Sequence, residues 1–111
     1  MDIAQWSAQL RKGAAELVVL SILAGGEDRY GLQILEKANG GGDIVSEGAL
    51  YPLLSRLEKD GKLASHWVVN DGPHPRKFYR LTSQGAAALP VMTQAWIKFR
   101  TAMSGIVETG Q

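Results

Sequence analysis

Residues whose type and spacing could do chemistry gather in two short stretches. Ser46, Glu47, Gly48, Ala49, Tyr51 and Pro52 open a segment whose later residues repeat at helical spacing. Backbone N–H groups at such a helix start, together with the Ser46 and Tyr51 hydroxyls, can bond phosphate oxygens, and the small Gly48 and Ala49 permit close approach to a groove. Glu47 would repel phosphate. It suits the positive end of its own helix dipole, the other readings being a cytosine contact or a side chain turned away. The plainer alternative is that Ser46 only caps the helix and Tyr51 only covers core. In the second stretch Arg76 and Lys77, placed at the base of a hairpin with His74 close by in its loop, are suited to neutralising phosphates, against the alternative of a solvated strand end. Lys12, placed at the start of the first helix, is a third cation that could reach a phosphate.

Catalytic chemistry finds no such footing. His66 and His74 are the only histidines, cysteine is absent, and the carboxylates are scattered over presumed helix surfaces, so no metal or catalytic cluster can be assembled. The glycines follow neither the dinucleotide nor the P-loop pattern. The expectation is a binding protein, not an enzyme, that needs no cofactor. Its net charge of +1 conceals a mild local excess, because six bases face four acids between Ser46 and Leu81. Taken alone, that excess is better explained by a solvated face of mixed charge than by a nucleic-acid footprint.

The positioning elements follow from hydrophobic period. Ile3, Trp6, Leu10, Gly13, Leu17, Leu20 and Ala24 step by three and four, which predicts a helical N-terminal quarter ended by Gly25-Gly26. A short second helix is expected over Tyr30 to Ala38, stopped by Asn39 and Gly40-Gly41-Gly42. Ser46 is a good N-cap for a third helix to about Asp60, with Leu50, Leu53, Leu54 and Leu57 as its core stripe, Pro52 bending its second turn and Gly61 closing it. From Leu63 the period becomes two, and it does so again from Arg76 to Leu81. The turn formers from Asn70 to Pro75 join these as an antiparallel hairpin.

A last helix, from a Thr82 cap to about Glu108, carries Leu89, Met92, Trp96, Phe99, Met103 and Ile106 at alternating three- and four-residue steps, and would be ~35–40 Å long. At 111 residues the chain supports one compact core. A hydrophobic fraction of 45% is ordinary for a globular protein. The longest apolar run, Leu17 to Ala24, is broken by Ser21 and far shorter than the ~20 residues of a membrane span. The N-terminus also lacks the pattern of a secretory signal, so the expected location is the cytoplasm.

Three helices, a hairpin and a long helix make a mainly α protein with a small β-hairpin, in the order of a winged helix-turn-helix. In that architecture the third helix enters the major groove and the hairpin reaches over the adjacent backbone. The wide apolar stripe of the last helix finds little surface on so small a core. A second subunit is its natural partner.

Four runs carry a resemblance to a known family: Leu17-Val18-Val19-Leu20-Ser21-Ile22-Leu23, Tyr30-Gly31, the stretch Val45-Ser46-Glu47-Gly48-Ala49-Leu50-Tyr51-Pro52 continuing to Gly61, and Arg76-Lys77-Phe78-Tyr79-Arg80-Leu81-Thr82-Ser83-Gln84-Gly85. Together they resemble the PadR family of transcriptional regulators over roughly residues 10 to 108. The length and single C-terminal helix look like its small subgroup, whose members dimerise through the first and last helices. The resemblance implies a winged-helix DNA-binding domain over 1–81 and a dimerisation helix over 82–111. It implies a homodimeric repressor on a pseudo-palindromic operator, with DNA contacts from Lys12, Ser46, Glu47, Gly48, Ala49, Tyr51, Pro52, Arg76 and Lys77. It also implies that a planar aromatic compound could stack between two copies of Trp96 near the dimer axis, with Trp6, Met92 and Phe99 as pocket walls. Two alternatives stand beside this: a packed seam with no ligand, and a winged-helix adaptor that binds protein and not DNA.

Overall fold

The computed structural model describes residues 2–69 and 72–109, so Asn70 and Asp71 of the expected hairpin turn lie outside the described residues. The elements are α1 (Ile3–Lys12), α2 (Ala15–Leu23), β1 (Arg29–Tyr30), α3 (Gly31–Ala38), α4 (Glu47–Lys59), β2 (Leu63–Val68), β3 (Arg76–Leu81) and α5 (Ser83–Val107). The expected class therefore holds: a mainly helical winged helix with a long C-terminal helix.

Two features depart from the expectation. The N-terminal helix is two helices, α1 and α2, divided at Gly13-Ala14. Both divider residues keep right-handed helical angles, but Ala14 N–H bonds the Arg11 carbonyl at 3.0 Å, three residues back instead of four. The apolar spacing runs on across this tightened turn, which is why period alone shows one helix. No residue of α1 is buried, whereas Ala15, Val19, Leu20 and Leu23 of α2 enter the core. Second, β1 adds a third strand in the antiparallel order β1-β3-β2, with Arg29 opposite Tyr79 and Tyr30 opposite Phe78. Two residues are too few to display a period of two. As expected, α5 is one long helix, and it passes through Pro90, which has no N–H to give the Ala86 carbonyl.

Leu20, Leu23, Ile34, Leu50, Leu54, Leu57 and Val19 are the largest fully buried side chains, joined by Leu63 and Tyr79 from the sheet. No charged residue is buried among the described residues. Gly61 ends α4 at φ +83, a left-handed angle that lets Lys62 N–H return to the Leu57 carbonyl at 2.9 Å. The hairpin register runs from Leu63 opposite Leu81 at the base to Val68 opposite Arg76 near the tip. The Thr82 hydroxyl caps α5 by accepting from Gly85 N–H at 3.0 Å and donates to the Gly61 carbonyl at 2.7 Å, so the start of α5 is tied to the end of α4. Leu89 and Met92 pack against the core, and beyond them the helix projects away, giving the molecule extents of 57 × 33 × 22 Å.

Candidate nucleic-acid interface

Helix α4 divides its residues cleanly. Leu50, Leu53, Leu54 and Leu57 are buried, while Ser46, Glu47, Gly48, Ala49, Tyr51 and Pro52 are all exposed. Ser46 Oγ accepts from Ala49 N–H at 3.2 Å, so the cap expected from sequence is present, and Glu47 occupies the first turn beside the unpaired N–H groups. Asn39 anchors this start from outside. Its amide oxygen accepts from Ile44 and Val45 N–H at 2.8 and 3.0 Å, and its amide nitrogen donates to the Val45 carbonyl at 2.8 Å. Pro52 leaves the Gly48 carbonyl without its usual partner, and Gly48 is open to solvent.

Tyr51 is 43% exposed, so it does not merely cover core. The edge of its ring lies over Gly31, the first residue of α3, where an added Cβ would come within 2.5 Å of Tyr51 Cε1. Glycine at 31 is thus the seat of the Tyr51 ring, a pairing across 20 residues that sequence reading did not anticipate.

Arg76 and Lys77 stand near the tip of the hairpin, opposite Val68 and Trp67, and not at its base as the order of residues suggested. They also differ from one another. Arg76 is exposed, its guanidinium 4.7 Å from the centre of the Tyr30 ring, and it forms no ion pair among the described residues. Lys77 reaches the other way, its ammonium 3.1 Å from Glu58 Oε1. Cross-strand neighbours on one face of the sheet, Tyr30, Phe78 and His66, form an aromatic row, with 5.3 Å between the first two ring centres and 5.9 Å between the last two. His74 is exposed in the loop.

On the opposite flank of α4, Lys12 closes α1 instead of beginning a helix. With Arg11 it forms one wall of a cleft of about 480 Å³ whose other wall is Ser46, Ala49, Pro52 and Arg56 of α4. Arg11 and Lys12 form no ion pair among the described residues, whereas Arg56 lies 3.3 Å from Glu16 and 3.8 Å from Asp60. Glu16 also holds Lys62 at 2.8 Å. Burial pushes the Glu16 carboxyl up, but Lys62 and Arg56 together bring it below the usual carboxylate range. Sequence reading missed Arg11 and Arg56, and the adjacency of Arg11 to Lys12 was the available signal for the first.

The residues proposed for a ligand are not brought together within one chain. Trp96 is 43% exposed and lines an apolar cleft of about 520 Å³ with Val18, Ile22, Ile44 and Thr93. Met92 is half-buried against the core, and Phe99 and Trp6 are exposed outside this cleft. Among the described residues no group of three or more acidic or histidine side chains could hold a metal ion, and no helix is long and apolar enough to cross a membrane.

Residues 19–90 match the model of the transcriptional regulator PadR-like family, a span holding α3, α4, the hairpin and the start of α5. The chain belongs to that family. Transcriptional regulator Rv3488 of Mycobacterium tuberculosis is 40% identical over 81 residues, covering 73% of this chain and 74% of its own. A PadR family transcriptional regulator from Eggerthella lenta superimposes with a TM-score of 0.79 at 34% identity, covering 96% of this chain and 93% of that one. A PadR-like transcriptional regulator from Bacillus cereus does so with a TM-score of 0.76 at 31% identity, covering 89% and 96%. This PadR-like chain is accordingly a DNA-binding transcriptional regulator and not an enzyme.

Proposed function

We propose that the protein is a ligand-responsive repressor that binds a pseudo-palindromic operator as a homodimer, with α4 in the major groove and the hairpin over the flanking backbone. The observation that carries the DNA face is the division of α4, whose leucines are buried while every small or polar residue from Ser46 to Pro52 is left open. Exposed Arg76 lies on one side of this face, and Arg11 and Lys12 lie on the other. Phosphates on the two edges of a groove would meet cations from both sides. Residues 1–81 carry this face, and 82–111 serve assembly.

Support for the dimer comes from exposed apolar side chains. Ile3, Trp6 and Leu10 on α1 are 60, 50 and 58% exposed, and Phe99, Met103 and Ile106 on α5 are 58, 42 and 63% exposed. Monomeric proteins seldom leave such stripes in water. A two-fold axis across α5 would bring two copies of Trp96 close, where their indoles could hold a planar aromatic effector, with Trp6, Met92 and Phe99 around it. The effector would act by changing the separation of two recognition helices that must match half-sites ~34 Å apart.

Selection from a random pool of duplexes, followed by titration of the recovered sequence, tests the reading. A pseudo-palindromic consensus bound by twice the chain mass is the expected result. Failure to enrich any duplex would sink the repressor reading and favour an adaptor that binds protein.

A further inference from the structure

One carboxylate joins the recognition helix to both strands of the wing. Glu58, on the last turn of α4, faces Lys77 of β3 with one oxygen at 3.1 Å and accepts from the Ser65 hydroxyl of β2 with the other. Ser65 and Lys77 lie on the same face of the sheet, since Ser65 pairs with Tyr79 and Lys77 with Trp67, two positions along. The ammonium is further enclosed by aromatic faces, 5.5 Å from the Tyr79 ring centre and 6.0 Å from that of Trp67. Glu58 and Lys77 are only about one-third exposed, at 33 and 31%. Both keep their charge over an extended range. The Ser65 hydroxyl, then Lys77, hold the Glu58 carboxyl below its ordinary value, and Glu58 holds the Lys77 ammonium above its own.

We infer that Glu58 and Lys77 form a latch that fixes the angle between the wing and the recognition helix, so that Lys77 is a positioning residue and not a phosphate ligand. This rests on the reading that α4 and the wing together bind DNA. The physical argument is one of competition. A lysine already neutralised at 3.1 Å and covered by two rings would have to leave all three partners to reach a phosphate. Arg76, its neighbour in sequence, points to the other face and is exposed. A wing that must place Arg76 against one particular phosphate needs its tilt set, and no other charged pair joins α4 to β3 among the described residues.

The two roles predict opposite signs for Glu58→Gln. If Lys77 is a phosphate ligand, removing Glu58 frees it and removes a repelling carboxylate, and affinity for the selected duplex rises. The latch requires affinity to fall roughly tenfold, equivalent to about 1.4 kcal/mol. Lys77→Met should lose a similar amount, the double variant no more than either single one, and Ser65→Ala less. The plot of log affinity against log salt should keep its wild-type slope in Lys77→Met and become shallower by about 0.9 in Arg76→Ala. Thermal melting establishes that each variant is folded. Tighter binding by Glu58→Gln, or a shallower slope in Lys77→Met, overturns the latch while leaving the DNA reading intact. A wild-type protein that binds no duplex overturns both.

Discussion

Helix α2 and the distal half of α5 both carry regularly spaced apolar side chains, yet one is sealed and the other lies open. In α2, Val19 and Leu20 are 0% exposed and Leu23 is 1% exposed. In α5, Phe99 is 58% and Ile106 is 63% exposed, although their three- and four-residue spacing is as regular as anything in α2. The difference is what lies across from each. α2 is surrounded by α3, α4, α5 and the sheet, whereas α5 outruns the core after Met92. A regular stripe thus reports that a partner is needed, and only the surroundings say whether the chain supplies it. The winged core is complete in itself, and on the proposed reading a second copy completes the terminal helices.

Breaking this comparison begins with the core. Leu54→Ala removes a side chain at 0% exposure and should cost ~2–5 kcal/mol of unfolding free energy, measured by urea titration. Phe99→Ala, on the open stripe, should change the stability of the isolated subunit by under about 0.5 kcal/mol. Its effect should instead appear in analytical ultracentrifugation, as a shift from twice the chain mass toward the single mass. A large loss of stability in a protein that was monomeric throughout would show that Phe99 packs within its own chain, and would erase the contrast.

Next in size come effects on DNA with the core intact. Tyr51→Ala should weaken binding of the selected duplex by ~1–3 kcal/mol without shifting the melting temperature much. Gly31→Ala sharpens the point, because the three atoms nearest the new methyl all belong to the Tyr51 ring, a side chain that can swing aside. DNA affinity should fall while stability barely moves. Equal affinity in wild type and both variants would remove Tyr51 from the interface.

Trp96→Ala should abolish most of the fluorescence quenching produced by planar aromatic compounds. Unaltered quenching in the variant would place the effector elsewhere. The smallest effect concerns pH. The Glu16 carboxyl is held low in the folded state, so its stabilisation is present above the ordinary carboxylate value of about 4.3 and is lost as pH falls through the folded value. Glu16→Gln should therefore melt below wild type at neutral pH by an amount worth under about 1 kcal/mol, and the gap should close in acid. A gap that persists there would assign the loss to packing.

What could be read from sequence was whatever a single element declares by itself. The Ser46 cap, the leucine stripe of α4 and the alternation of β2 and β3 all depend on neighbours within one element. The Gly13-Ala14 division escaped because the apolar spacing crosses it unbroken, and β1 escaped because two residues carry no period. Lys77 was read with Arg76 as a phosphate ligand because the hairpin of a winged helix projects toward the DNA backbone. Its partner Glu58 is 19 residues away, and nothing in spacing tells which side of a strand will face which turn of a helix. Tyr51 and Gly31 were unmatched for the same reason. The candidate face was legible as a set of exposed residue types, and its internal partnerships were not.

Asn39 has a practical consequence. Its amide alone makes three hydrogen bonds to Ile44 and Val45, bridging the loop that contains Gly40, Gly41 and Gly42. Gly41 is exposed, and a side chain built there would meet open space. The loop is thus mechanically bypassed, like a length of slack cord between two fixed knots. An affinity tag or a fluorescent label could be spliced in at Gly41 with the start of α4 still held by Asn39, giving a reporter carried beside the recognition helix.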